Sequence, residues 1–244
     1  MEDSKVFRVF PNEPRPPFVD RAEGVYIYTK DGQKLLDITS GGNHYAVLGW
    51  AHPEVNKAME IQIKKFGHMD YKLWSNENTE ELAELLVSRT EHGLDRVYFG
   101  GNAGSEACEV AMKMSYQAHY DSGKIEKKWF ISRDQSYHGS TSDALALGER
   151  PNLEFFRQML SPYRARIPMH HPLYLQRDGE SIDDYARRSA KELEDKILEI
   201  GPDYVCGFVG ETIMGGLVGD VPPAPNYWKY IRDVCNKYDI HLIL

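Results

Sequence analysis

The chain has 244 residues, 41% hydrophobic and 11% aromatic, with a formal net charge of -8. That is enough apolar material for one large core, or one core and a small extension. The acidic balance argues against nucleic acid or an anionic membrane surface as main partner, since both demand a basic footprint.

No apolar run approaches bilayer-spanning length, and Met1-Glu2-Asp3-Ser4 lacks the basic-then-apolar pattern of a secretion signal. The cytoplasm is therefore the expected location, with no membrane partner. Cys108, Cys206 and Cys235 are scattered in apolar surroundings and suit reduced core thiols better than a disulfide or metal framework.

Residues 1 to about 23 are proline-rich, with Pro11, Pro14, Pro16 and Pro17 opposing regular structure, and read as an arm. Asp31-Gly32 between Val25-Tyr26-Ile27-Tyr28 and Lys34-Leu35-Leu36-Asp37-Ile38 predicts a β-hairpin. Pro53 opens a helix carrying Val55, Ala58, Met59 and Phe66. Asn78 followed by Glu81 has the form of a capping box for a helix with Leu82, Leu85 and Leu86 on one side.

Strands and helices then alternate. A strand at 96–99 leads into a helix at 105–119, and a strand follows at 128–132. Residues 150–180 show no clear period. A helix from about Ser181 to Ile200 turns Ala186, Ala190, Leu193 and Ile197 inward and stops at Gly201-Pro202. Tyr204 to Val209 reads as a buried strand, Asn226 to Tyr238 as a helix with Ile231, Val234 and Cys235 inward, and 240–244 as a further buried strand. Alternation of this kind predicts a mostly parallel sheet covered by helices on both faces.

The most informative segment is Phe99-Gly100-Gly101-Asn102-Ala103-Gly104-Ser105-Glu106-Ala107. Ala107, Val110, Ala111 and Met114 recur at helical spacing after it, so the change of period falls on the glycines. Unpaired N–H groups and the partial positive charge at a helix start favour a phosphate there, and Ser105 adds a hydroxyl. The competing reading is a common strand-to-helix turn in which Glu106 and Glu109 complement the helix dipole. Neither G-x-G-x-x-G nor a Walker sequence is present, which disfavours dinucleotide and P-loop readings.

Tyr137-His138-Gly139 follows a predicted strand, with an aromatic face for a flat heterocycle and a glycine permitting close approach. A surface loop with one packed tyrosine is the alternative. Glu211 follows a buried strand, where site carboxylates of such sheets occur, and a solvated loop glutamate is as plausible. Asn43, His44 and Trp74 are weaker pocket candidates. His170-His171 cannot chelate as i, i+4 helical histidines do, so no metal role is assigned.

Taken together, residues 24–244 resemble the class III (ornithine and omega-amino acid) aminotransferases, pyridoxal phosphate enzymes of fold type I. The resemblance rests on Gly24-Val25-Tyr26-Ile27-Tyr28, Asp31-Gly32, Leu36-Asp37, Ser40-Gly41 and Gly49-Trp50-Ala51-His52-Pro53. Its most specific match is Asn102-Ala103-Gly104-Ser105-Glu106-Ala107, similar to the family's Asn-Ser-Gly-Ser-Glu-Ala.

The resemblance implies that Ala103, Gly104 and Ser105 hold the phosphate of pyridoxal 5'-phosphate and that Tyr137, with His138 and Gly139, flanks the pyridine ring. It also implies that Glu211 lies near the cofactor. It further implies transfer of an amino group between an amine or amino acid and an oxo acid, in a homodimer. Residues 1–75 would be arm, hairpin and helix of a small domain, and 76–244 the first part of the cofactor-binding large domain.

This chain departs from the family pattern at Ala103 for serine, Thr212 for proline and Met214 for glutamine. The family's Asp-Glu pair and Schiff-base lysine would lie beyond Leu244. The expectation is thus an incomplete chain, inactive alone and with no catalytic residue of its own. The competing expectations are a non-catalytic phosphate-ligand binding or regulatory protein, or an aminomutase or racemase of the same family.

Overall fold

The computed structural model describes residues 5–6, 14–90, 93–148 and 151–244. Its contacts divide the chain into two units between Asp95 and Arg96, whereas the expected domain boundary is between 75 and 76.

In the first unit, strands β1 (Val19–Glu23), β2 (Tyr26–Thr29) and β3 (Lys34–Leu36) form an antiparallel sheet in that order. The Asp31-Gly32 turn joins β2 and β3 as expected, with Gly32 at φ +88°. The assignment of everything before residue 24 to an irregular arm is corrected by β1, which pairs with β2 from Val19↔Thr29 to Glu23↔Tyr26. The prolines end at Pro17, and the five residues of β1 are long enough to add an edge strand.

Asp37 ties the following turn together. Its carboxylate accepts from Thr39 N at 2.9 Å, Gly41 N at 2.7 Å and Trp50 Nε1 at 2.8 Å. These bonds hold its carboxyl below the usual carboxylate range. Helices α1 (Pro53–Lys65) and α2 (Glu77–Ser88) follow. The cap of α2 is Asn76, whose side chain accepts from Thr79 N at 3.0 Å, and not Asn78 as its spacing to Glu81 suggests. Asn76 is extended and can present its oxygen to the N3 amide, whereas Asn78 is already inside the helix.

The second unit contains α3 (Gly104–Asp121), β4 (Trp129–Arg133), α4 (Ser142–Leu147), β5 (Arg164–Ile167), α5 (Pro172–Leu175), α6 (Ile182–Ile200), β6 (Val205–Val209), α7 (Tyr227–Lys237) and β7 (His241–Ile243). The four strands form a wholly parallel sheet of order β5-β4-β6-β7. The unperiodic stretch 150–180 supplies β5, an edge strand whose Arg-Ala-Arg-Ile sequence hides its pairing.

The strand expected at 96–99 is absent. Its residues are irregular, and among the described residues no strand pairs with them. β-Branched and aromatic side chains such as Val97, Tyr98 and Phe99 do not make a strand without a neighbour to complete its backbone hydrogen bonds.

Helices cover both faces of the sheet. On one, Tyr185, Ala186, Ala190, Leu193 and Ile197 of α6 and Tyr227, Ile231 and Cys235 of α7 pack on Ile131, Ile167, Val205 and Phe208. On the other, Met112 of α3 and Leu147 of α4 pack on Phe130, Cys206 and Val209. β6 serves both cores, as alternation along a strand allows, and its register against β4 slips between Trp129↔Val205 and Phe130↔Gly207. That bulge turns Val205 and Phe208 to one side and Cys206 and Val209 to the other. Each large apolar side chain so buried contributes on the order of 1.5–3 kcal/mol.

Ser181 caps α6 by accepting from Asp184 N at 3.1 Å, and Asp183 and Asp184 occupy its first turn. The three cysteines are free thiols, Cys206 and Cys235 buried and Cys108 half-buried.

Candidate functional site

Two connections converge beyond the C-terminal ends of β4 and β6, where open parallel sheets place their ligands. The first is the start of α3. Its first intrahelical bond runs from Ala107 N to Ala103 O at 3.2 Å, so the N–H groups of Gly104, Ser105 and Glu106 precede the ladder. Nothing lies within 4 Å of a Cβ placed on Gly104, so there is open space beside the first residue of the helix.

The dipole-complement reading of Glu106 also holds in part. Its Oε2 accepts from Asn102 N and, at 3.2 Å, from Ala103 N. The carboxylate folds over Gly101, where a Cβ would meet it at 2.6 Å and φ is +133°, so only glycine serves there. Glu106 thus satisfies the amides before the helix and leaves those of the first turn. Glu109 accepts from Asp143 N at 3.0 Å and so caps α4.

The second connection is the loop after β4. Ser140 N donates to Ser105 Oγ at 2.9 Å, fastening this loop to the start of α3. Gly139 makes the approach possible: at φ +142°, a Cβ would lie 2.7 Å from Ser105 Oγ and 2.8 Å from Ser105 Cα. Because Ser105 Oγ is an acceptor in this bond, its own proton remains to be donated elsewhere.

Tyr137 is 46% exposed. Its backbone N–H donates to Glu211 Oε1 at 3.3 Å, and its hydroxyl lies 3.4 Å from Ser140 Oγ. Ser105, Tyr137, His138, Gly139 and Glu211 are therefore joined through hydrogen bonds or chain neighbours, although their sequence separation exceeds a hundred residues from Ser105 to Glu211.

The electrostatics are set by burial. His138 Nε2, Thr141 Oγ1 and Glu211 Oε2 are buried polar atoms without a hydrogen-bond partner. Burial, with the Arg133 cation adding to it, lowers His138 to about 4 and keeps the ring neutral. Burial raises Glu211, against the Tyr137 amide and Arg133, which lower it.

Arg133, the last residue of β4, is 1% exposed. It donates from a terminal nitrogen to the Glu211 carbonyl, and its guanidinium carbon lies 5.3 Å from the Trp228 ring. Sequence reasoning missed it, because an arginine closing an apolar strand reads as a strand end; its position three residues before Ser136 was the available signal.

The remaining candidates belong to the first unit. His44 is exposed, at φ +62°, in a single π-turn (Ser40–His44), and Trp74 is 66% exposed with its backbone N–H donating to Asp70 O at 3.0 Å. The side chain of Asn43 lies outside the described residues. His170 and His171 are buried: His170 stacks 3.8 Å from the Tyr227 ring and bonds Ser189 Oγ and Ala224 N at 3.0 Å each, a packing role.

Comparison with known proteins identifies the family and the fold. The family described as "Aminotransferase class-III" matches residues 10–244. An uncharacterized aminotransferase of Schizosaccharomyces pombe is 39% identical over 236 residues, 96% of this chain and 51% of the relative. Gamma-aminobutyrate transaminase 1, mitochondrial, of Oryza sativa subsp. indica is 32% identical over 93% of this chain and 44% of its own length.

Among solved structures, the omega transaminase from Pseudomonas jessenii in complex with PMP has TM-score 0.85 at 33% identity, covering 93% of this chain and 50% of that one. An omega-aminotransferase from Paracoccus denitrificans has TM-score 0.86 at 29% identity, covering 98% and 53%. The chain spans about half the length of the relatives it matches. Its parallel sheet with helices on both faces is that of the fold type I transaminases, and the chain belongs to the class-III aminotransferase family.

Proposed function

We propose that the chain is the cofactor-binding part of an aminotransferase that moves an amino group between an amine or amino acid and an oxo acid through pyridoxal phosphate. The observation that carries this reading is the bond from Ser140 N to Ser105 Oγ at 2.9 Å, which makes the start of α3 and the Tyr137 loop two walls of one site. The names of the omega and gamma-aminobutyrate transaminase relatives favour a donor whose amino group sits away from a carboxylate.

The residues fit the cofactor. A phosphate at the start of α3 would take the amides of Gly104 and Ser105 and the Ser105 hydroxyl proton, and Ala103 would join through its N–H only by releasing Glu106 Oε2, 3.2 Å away. Bound pyridoxal phosphate supplies an electron sink for the negative charge that develops on the substrate carbon. Tyr137 offers its exposed ring as a stacking face. His138, held neutral, and the orphaned Glu211 Oε2 present a polar edge, and Gly139 keeps this wall thin enough for a ring to approach.

Glu211 is fixed from two sides by the Tyr137 amide and Arg133 and serves to position the loop. Thr212 and Met214 depart from the family pattern, so a substrate-switching role is not assigned to Glu211. Asn43, His44 and Trp74 are proposed substrate contacts, and no metal takes part in the reaction. The division at 75/76 into a small domain and the first part of the large domain is part of the same proposal.

A homodimer is the proposed assembly of the whole protein, supported by α1 and α2, which have no buried residue and leave Met59, Ile63, Leu82 and Leu85 exposed. The proposed location is the cytoplasm. No described helix is long and apolar enough to cross a membrane.

The test is an amine-donor and oxo-acid assay with added pyridoxal phosphate on the chain and on a form extended to the length of its relatives. Turnover by the extended form alone is expected. Cofactor binding without turnover in either would favour a non-catalytic phosphate-ligand protein, and isomerised or racemised amino acid without oxo-acid consumption would favour a mutase or racemase.

A further inference from the structure

The opposite end of the same sheet holds a cluster that the aminotransferase reading does not use. His119 lies in the last turn of α3, Cys206 is the second residue of β6 and His241 the first of β7. They meet at the N-terminal ends of the strands, between α3 and the sheet. One ring nitrogen of each histidine and the Cys206 sulfur all lie within 4.8 Å of one another. His119 and Cys206 are buried, and half-buried His241 leaves a route in from solvent.

We propose that His119, Cys206 and His241 form a binding site for a zinc-type cation, with water or the Ser115 hydroxyl completing the coordination. One thiolate and two imidazoles are a donor set for a borderline-soft ion that prefers four ligands. Bonds of about 2.0–2.3 Å set ligand atoms roughly 3.5 Å apart in a tetrahedron, so small side-chain rotations close the cluster.

The surroundings match what such ligands need. His119 Nε2–H donates to the Cys206 carbonyl at 3.1 Å, which fixes the ring and leaves the lone pair on Nδ1. Ser115 Oγ lies 2.7 Å from His241 Nδ1 and 3.3 Å from Cys206 Sγ, so hydroxyl, thiol and imidazole are already linked. On binding, the sulfur–metal bond forms as Cys206 gives up its proton to solvent, and no electron changes hands. The ion would lock α3, β6 and β7 together at the end remote from the cofactor.

The experiment titrates cobalt(II), then zinc, into the chelator-treated full chain. One equivalent is expected, with a thiolate-to-cobalt charge-transfer band that zinc abolishes and a higher melting temperature with either ion. The band should vanish in Cys206→Ala, and His241→Gln should weaken binding about tenfold or more. Far-ultraviolet circular dichroism checks that both variants fold. Should Cys206→Ala not fold, protection of Cys206 from alkylation by zinc in the unaltered chain, located by mass spectrometry, decides the matter.

Saturating cobalt without a thiolate band, unprotected Cys206, or unchanged affinity in both variants would overturn the site. Added pyridoxal phosphate should leave the titration unchanged.

Discussion

The two ends of α3 meet polar groups in opposite ways. At its C-terminal end the buried polar groups answer one another: Lys127 Nζ donates to the carbonyls of Pro202, Val205 and Tyr238 at 3.1, 3.1 and 3.2 Å, and His119, Ser115 and His241 bond as described. At its N-terminal end, His138 Nε2, Thr141 Oγ1 and Glu211 Oε2 are buried and unanswered beside a helix start whose first amides precede the helical ladder. Each unanswered group costs about 1–3 kcal/mol. The unanswered groups at the N-terminal end stand where a bound cofactor would answer them, whereas those at the other end already hold one another.

The largest expected effect comes from acid. Burial, then the Arg133 and His171 charges, lowers His170 to about 3, and burial with Arg133 lowers His138 to about 4. Both rings stay neutral in the folded chain while the unfolded chain takes up protons below its ordinary pKa near 6.5. Stability is therefore full above pH 6.5 and falls toward pH 4 and 3, by about 1.4 kcal/mol per pH unit for each ring. Urea unfolding at stepped pH measures this. In His170→Gln the slope should drop by one ring's share, and an unchanged slope would mean that His170 is protonated in the folded chain.

Gly139→Ala comes next. Its Cβ would press on Ser105 Oγ and Cα, at a backbone angle that disfavours alanine. Strain and overpacking of this kind cost about 1–3 kcal/mol each. Because the loop must part from α3, cofactor affinity should fall tenfold or more in a fluorescence titration with pyridoxal phosphate, while the other end of α3 is untouched. An affinity within twofold of the original would separate Gly139 from the site.

Glu106→Ala removes the group that answers the amides of Asn102 and Ala103. It should lower stability by about 1 kcal/mol, the worth of a helix cap, read as a drop in melting temperature. Tyr137→Ala is expected to weaken pyridoxal phosphate by about 1 kcal/mol, roughly fivefold, the value of one aromatic stacking contact. Equal affinity in that variant would remove Tyr137 from the cofactor wall.

Much of this contrast was legible in the sequence at one end only. The period switch at Gly101–Gly104 located the start of α3, and the apolar spacing of α6 and α7 named the residues they bury, because both signals are local. The strand at 96–99 was misread, since Val97, Tyr98 and Phe99 have strand character but no described neighbour to pair with. β5 was missed because its arginines break the apolar pattern while their stems pack beside the sheet; Arg164 pairs with Asp143 and lies 5.0 Å from the Phe130 ring.

The bond between Ser105 and Ser140 and the meeting of His119, Cys206 and His241 are long-range. Each residue is unremarked in its own surroundings, and only the parallel pairing of β6 with β7 and the packing of α3 on β6 bring them together.

The most direct test of the central claim compares pyridoxal phosphate with pyridoxal, which lacks the phosphate, in unaltered and Ser105→Ala forms of the chain and of its extension to the length of its relatives. The start of α3 as phosphate cradle predicts that the phosphorylated ligand binds at least tenfold more tightly. It also predicts that Ser105→Ala shrinks this ratio, costing the phosphorylated ligand more than pyridoxal, which loses only the fastening of the Tyr137 loop. Equal affinity for the two ligands in both lengths of chain would contradict it.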